Sequence, residues 1–325
     1  MADMRQFWKK IRQRLEVLAM RLFVATIPKL SRVALLSLAD FAGGVVCGLD
    51  RRGRRIALEN VTLSLGDKYL PAERERIVRQ SFCNLARTFL DLFWAKNLTA
   101  ENFRQLIDVI GFEEFRAREN SSQGCLFYSG HLGNFEWLPP TLCLLGMPPL
   151  AIVQDIKNPE ITPFFTEARS SFGSQLIPQE RAVLRMLKAL KRGKTCGFLV
   201  DLTLKLDQPG HVIEAFGMKK YVTGVHVTLS SLAGARLVPL MFFPIENGRY
   251  ELRFLPDTVL EPGLSDQQLT QLCWDQIEAG IRERPECWLW NYKHWRYRPE
   301  GAENYPLYSN PSGKFEKLLS PVAEK

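Results

Sequence analysis

The sequence has no Cys-x-x-Cys pair. Its seven cysteines, Cys47, Cys83, Cys125, Cys143, Cys196, Cys273 and Cys287, are scattered and odd in number. That pattern signals neither a disulfide framework nor a zinc site, and it fits a reducing compartment, the cytoplasm or its membrane face. Cys125 and Cys143 lie in apolar runs and read as small core residues. No Gly-x-Ser-x-Gly elbow is present, so a serine hydrolase is poorly supported. No stretch reaches the ~20 apolar residues of a conventional membrane span. The longest candidate, "RVALLSLADFAGGVVCGLD", is broken by Asp40 and weakened by glycines. A signal peptide is not evident either, because the basic start is long and no small-residue cleavage site follows a compact apolar run. Internal repeats and low-complexity linkers are also missing.

What is present is a chain of 325 residues, 46% hydrophobic and 24% charged, long enough to bury a sizeable core and too apolar for wholesale disorder. Its charge is lopsided. Residues 1–60 carry twelve Lys/Arg against five Asp/Glu, which is +7 of the whole chain's +8. The remainder is nearly neutral, whereas a nucleic-acid footprint needs basic groups on the body as well, so no nucleic-acid partner is expected. "FWKKIRQRLEVLAMRLF" reads as an amphipathic helix, with Ile11, Leu15, Leu18 and Leu22 on one face and Lys9, Lys10, Arg12 and Arg14 around it. Two readings fit: a membrane-surface anchor, or a helix packed on the core with a solvated basic face. The expected organisation is therefore a basic, helical, membrane-associating region over 1–60 and an α/β domain over 61–325.

Within the second region "LPAERERIVRQSFCNLARTFLDLFW" predicts a helix, with Pro71 in its first turn and an apolar stripe of Val78, Phe82, Leu85, Phe89 and Leu92. From about residue 110 the pattern changes. "GCLFYSG", "LAIVQD", "TCGFLVD" and "RLVPLMFFPI" read as strands, and "PEITPFFTEARSSFG" and "QERAVLRMLKALKRG" as helices, the second closed by Gly193. This alternation predicts an α/β fold with a mixed, largely buried central sheet flanked by helices. "IENGRYELRFL" adds a hairpin turning at Asn247-Gly248, and the tail after "RPEG" reads as an extended arm.

The stretch that bears on chemistry is "SGHLGNFEW", residues 129–137. His131 and Glu136 are five apart, a spacing that fails on a straight helix, where groups meet at three or four. If "GCLFY" is a strand and a helix begins around Pro139 and Pro140, the two fall on either side of a glycine turn and can meet. A carboxylate on one imidazole nitrogen fixes the tautomer, and the other nitrogen can then take a proton from a hydroxyl. That is a base without a nucleophile of its own, suited to a hydroxyl carried by the substrate. A histidine satisfied structurally at a turn is the alternative, and the spacing alone leaves both open.

The same stretch resembles the His-x-x-x-x-Asp/Glu motif of the lysophospholipid acyltransferase superfamily, and more closely the bacterial lipid A biosynthesis (lauroyl/myristoyl) acyltransferases. "RRIALENVTLSLGD", "IVQDIKNPEI" with "ARSSFG", "GFLVD" with "VIEAFGMKKYVTG", and "CWLWNYKHWRYRP" resemble further blocks of that family, in its order. The resemblance implies a glycerolipid acyltransferase-like fold and transfer of a fatty acyl chain from an acyl carrier protein thioester to a hydroxyl of a lipid A precursor, a late secondary acylation. It places the reaction at the cytoplasmic face of the inner membrane, with acyl carrier protein, the lipid acceptor and the anionic membrane surface as partners. Acyl-CoA is the other possible donor, and no metal or bound cofactor is called for.

Carried onto this chain, the resemblance makes His131 the general base and Glu136 its orienting partner, with backbone N–H groups around Gly133 and Asn134 steadying the oxyanion. Arg169 would hold a phosphate, Asp201 would supply a polar group, and Thr223 with Gly224 would shape a loop by the site. Trp288, Trp290 and Trp295 read as core or membrane-boundary residues. Three positions depart from the family pattern: Leu202 stands where glutamine is usual, Gln154 where many members carry arginine, and Tyr292 where histidine is usual. The departures at Gln154 and Leu202 leave open another glycolipid or lysophospholipid acceptor. A non-catalytic membrane- or carrier-protein-binding relative and a soluble thioesterase are the remaining alternatives.

Overall fold

A computed structural model describes residues 2–118, 123–153, 158–178 and 180–319. Gln154 lies outside the described residues. Four helices open the chain: α1 (Ala2–Thr26), α2 (Arg32–Leu49), α3 (Arg51–Leu65) and α4 (Pro71–Trp94). The strands follow as β1 (Ile107–Ile110), β2 (Cys125–Ser129), β3 (Leu150–Val153), β4 (Gln175–Pro178), β5 (Thr195–Leu199), β6 (His211–Ala215), β7 (Met218–Val222), β8 (Arg236–Pro244) and β9 (Tyr250–Phe254). Among the described residues, seven of them form one sheet in the order β1-β9-β8-β2-β5-β3-β4, while β6 and β7 pair separately as an antiparallel hairpin. All neighbours in the large sheet run parallel except β8 and β9, which are antiparallel and joined through Asn247 and Gly248, both at positive φ as the turn requires.

Parallel strands need crossovers, and the helices Leu138–Leu144, Thr162–Ser170 and Ala182–Leu190 supply them between β2 and β3, β3 and β4, and β4 and β5. The sheet is therefore covered on both faces, which is why every residue of β2 is buried and why its sequence is a continuous run rather than an alternation. The expected mixed α/β architecture is the one observed. The tail is not an extended arm. Asn310–Pro311 pairs with Tyr297–Arg298, and a short helix, Gly313–Lys317, buries Phe315.

The N-terminal helices are tied into this body. On α2, Leu35, Ala39, Gly43 and Cys47 recur every four residues and form its buried face. A side chain at Gly43 would meet the Cys83 Cα of α4 at 2.4 Å, so glycine lets the two backbones touch. At the start of α2, Arg32 pairs with the fully buried Asp91 of α4 and donates to the Gly248 carbonyl at 2.7 and 2.9 Å. Position 60 lies within α3, and the Asn60 amide donates to the carbonyls of Trp290 and Tyr292 at 2.7 and 2.9 Å.

The outward faces differ from the body. On α1 the stripe Leu15, Leu18 and Leu22 is 60–66% exposed and joins exposed Phe7 and Trp8, so this face does not pack on the core. On α2, Val33, Phe41 and Leu49 are more than two-thirds exposed. The sequence expectation that no segment qualifies as a span is corrected here. Among the described residues α2 is long and apolar enough to cross a membrane, by length and composition, with a mean hydropathy of 1.6. Asp40 does not break the helix; its side chain is exposed at the border of the face packed on α4, and its carbonyl accepts from the Cys83 thiol at 3.5 Å. The apolar stripe read on α4 also shifts. Val78, Phe82 and Leu92 are buried, whereas Phe89 is 41% exposed and its ring meets Phe23 and Phe165.

Candidate functional site

The C-terminal ends of β2 and β5 build the site. The register sets Ser129 opposite Leu199, and the Val200 N–H donates to the Ser129 carbonyl at 2.9 Å. His131 and Asp201 each stand two residues beyond that matched pair, so the two parallel strands deliver them side by side. Open α/β sheets place their sites at this edge.

His131 Nδ1 lies 2.7 Å from Asp201 Oδ1, and the His131 backbone N–H donates to Oδ2 at 3.0 Å. The Trp288 indole N–H donates to the same Oδ2 at 2.8 Å. Asp201 is fully buried, so three donors from two segments hold its carboxylate in one orientation. Burial pushes the Asp201 carboxyl up, yet His131, Lys220 and His294 together hold it well below the usual carboxylate range. An ionised carboxylate only accepts, so the proton on neutral His131 sits on Nδ1 and the lone pair on Nε2.

His131 lines a cavity of about 710 Å³ that runs between the sheet and the helices Leu138–Leu144 and Thr162–Ser170. The walls are mainly apolar, including Phe135, Leu138, Leu142, Ile152, Phe165, Leu176, Phe198 and Leu240, with Gly197 opening space in the sheet. Its polar lining includes Ser129, His131, Glu136, Arg169 and Thr223. Such a cavity suits a long hydrocarbon chain whose reactive end meets His131.

Glu136 does reach this cavity, but not the contact expected of it. Its carboxylate is held by Arg169, with Nε donating at 2.9 Å and Nη2 at 2.5 Å. The turn explains why. Gly133 takes φ +60°, and a side chain there would meet the Phe242 carbonyl oxygen at 1.7 Å, so the chain bends sharply against β8. Glu136 then lies just ahead of the helix Leu138–Leu144, facing the helix that carries Arg169. The carboxylate on His131 is Asp201, not Glu136. Arg169 is correspondingly engaged with a protein carboxylate, and burial opposed by the Glu136 pair leaves its pKa raised.

The expected oxyanion donors are corrected as well. The Gly133 N–H is spent on the Cys287 carbonyl at 2.8 Å and the Asn134 N–H on that of Phe242 at 3.1 Å. The Asn134 side chain is buried and donates to Asp91 Oδ2 at 3.0 Å. Both residues brace the turn. Thr223 lines the cavity, and its Oγ1 accepts from the Val225 N–H at 3.3 Å. Trp288, Trp290 and Trp295 are fully buried around Phe216, which bears out the core reading, but Trp288 also touches the carboxylate of the pair.

Sequence reading missed the partners beneath His131. Trp288 lies 87 positions from Asp201, and no local spacing announces the contact. Ser129 was passed over too: the residue lines the cavity, and its buried Oγ has no hydrogen-bond partner among the described residues.

The family described as bacterial lipid A biosynthesis acyltransferase matches residues 8–297. A lipid A biosynthesis lauroyltransferase of Escherichia coli is 25% identical over 237 residues, 71% of this chain and 75% of the relative. A lipid A biosynthesis acyltransferase of Haemophilus influenzae is 21% identical over 72% of this chain and 73% of its own. A lipid A biosynthesis palmitoleoyltransferase of Escherichia coli is 22% identical over 78% and 82%.

Proposed function

The chain belongs to the bacterial lipid A biosynthesis acyltransferases, and from that membership we propose that it moves a fatty acyl chain from an acyl carrier protein thioester to a hydroxyl of a lipid A precursor, as a late secondary acylation. The observation that carries the reading is the His131–Asp201 pair at one apolar cavity. The acyl chain lies in the cavity with its thioester carbonyl by His131. Nε2 takes the proton of the acceptor hydroxyl as its oxygen attacks that carbonyl. The C–S bond then breaks, and the proton on His131 goes to the leaving thiolate. Asp201 keeps the imidazole in its tautomer and stabilises the imidazolium between the two transfers. No metal or bound cofactor enters this scheme.

The exposed apolar faces of α1 and α2, with the basic residues around them, support attachment to an anionic membrane surface, at the cytoplasmic face of the inner membrane. The same basic surface suits an acidic carrier protein.

The test is incubation of purified protein with acyl carrier protein thioesters of several chain lengths and with lipid A precursor, glycolipid and lysophospholipid acceptors, followed by mass spectrometry. Acylated lipid A precursor is expected, and it should fall by about 10³-fold in His131→Ala. Release of free fatty acid alone would make the protein a thioesterase. Transfer only to the other acceptors would move the substrate, and no turnover with any donor would leave a binding relative.

A further inference from the structure

Strand β7 alternates, with Met218, Lys220 and Val222 turned inward and Lys219 exposed. An inward lysine is costly unless its N–H groups find partners, and Lys220 is only 1% exposed. It finds two. The ammonium donates to the Asp201 backbone carbonyl at 2.6 Å and to His294 Nδ1 at 3.1 Å. It also lies 4.5 and 5.3 Å from the ring centres of Trp274 and Trp288.

The second partner leads back to the same carboxylate. His294 is fully buried, and its Nε2 is 2.9 Å from the Leu289 carbonyl, which fixes the proton on Nε2 and leaves Nδ1 as acceptor. Its ring stacks on Trp288 at 3.8 Å, and Trp288 donates to Asp201 Oδ2. Lys220 therefore reaches Asp201 by two routes, directly at the backbone and through the stacked His294 and Trp288. A hydrophobic residue would fill the space without the desolvation cost, so packing alone does not account for a lysine here.

We propose that Lys220 is a positioning residue for acyl transfer, fixing Asp201 so that its carboxylate stays on His131 Nδ1. The inference rests on the reading of His131 as general base. The titratable groups facing Lys220 are Asp201 and, beyond it, His131 from the sheet edge, His294 and Tyr292 from the Trp-rich segment, and Glu278 from the helix Asp266–Glu283. Glu278 is committed to Arg282, the Trp274 indole and the Phe216 N–H. Burial pulls the Lys220 ammonium down to about 7, against Asp201 and Glu278, so on the acid side of neutrality it is charged. A positive charge there opposes a second one on His131. Removing it lifts that opposition.

Two substitutions separate position from charge. Lys220→Met removes the donors and the charge, whereas Lys220→Gln keeps N–H donors without charge. With purified enzyme, Lys220→Met should lose about tenfold or more in kcat, at or below the low end of what acid–base catalysis is worth. Its KM values for donor and acceptor should stay within about twofold. Lys220→Gln should recover most of that kcat, while the acid limb of the pH–rate profile moves up by about one pH unit in both variants. Wild-type kcat in Lys220→Met, or an acid limb unmoved in Lys220→Gln, would overturn the proposal. Should Lys220→Met not fold, the Lys220→Gln profile decides alone. His131→Ala run beside them distinguishes the two readings: activity retained there removes the base itself, whatever Lys220 does.

Discussion

Two carboxylates approach the reacting end of the cavity, and they are held in opposite ways. Asp201 lies beneath His131, fully buried, gripped by an imidazole, a backbone N–H and an indole. Glu136 lies on the cavity wall, its side chain 14% exposed, in a two-pronged pair with Arg169. The first arrangement orients a base. The second neutralises a cation and shapes a wall. Proximity in sequence misleads here, because five residues separate His131 from Glu136 and seventy separate it from the carboxylate it bonds.

Substitutions can break that comparison at either end. Asp201→Asn should have the largest effect, a loss in kcat on the order of 10³-fold, because an amide that donates to Nδ1 turns the imidazole into the wrong tautomer. Steady-state transfer assays with wild-type-like melting would show it. Glu136→Gln should cost about tenfold, roughly the worth of one charge-assisted hydrogen bond, with Arg169 left partly unpaired. Enlarging the wall sharpens the comparison differently. A side chain at Gly197 meets only Pro149 at 3.9 Å, so Gly197→Leu is expected to extend into the cavity. Long acyl donors should then lose about fourfold in kcat/KM for each methylene displaced, near ~0.8 kcal/mol apiece, while short donors are unaffected. A chain-length series measures this.

A separate effect is on stability. The folded protein holds Lys220 at about 7 while the unfolded chain holds lysine near its ordinary value. Between those values the unfolded state binds the extra proton, so stability from this group rises with pH and is lost as pH falls toward 7. Denaturant unfolding from pH 7 to 10 should show that rise in wild type and a flatter curve in Lys220→Met.

Much of the fold was legible because buried parallel strands write themselves as apolar runs. "GCLFYSG" and "TCGFLVD" became β2 and β5, and Asn247-Gly248 turned the hairpin as read. His131 was legible as a residue delivered by a strand end into a glycine turn. Its partner was not, because pairing β2 with β5 is a matter of sheet order, which no local pattern encodes. Once that order is known, equal offsets from Ser129 and Leu199 suffice to bring His131 and Asp201 together. The glycine turn was read correctly as a turn and wrongly as an anion cradle, since the carbonyls of Cys287 and Phe242 use up its N–H groups. The outer helices were legible as amphipathic, but only the fold shows that the apolar stripe of α1 faces away from the core.

The tautomer of His131 tests the central claim most directly. The chain has four histidines, so nitrogen-15 NMR of histidine-labelled protein, with the His131 signals identified by their loss in His131→Ala, can read each ring. The account predicts a neutral His131 with its proton on Nδ1 and a bare Nε2, in wild type and in Glu136→Gln alike, and the loss of that tautomer in Asp201→Asn. A neutral His131 protonated on Nε2, or one that changes in Glu136→Gln and not in Asp201→Asn, would contradict it.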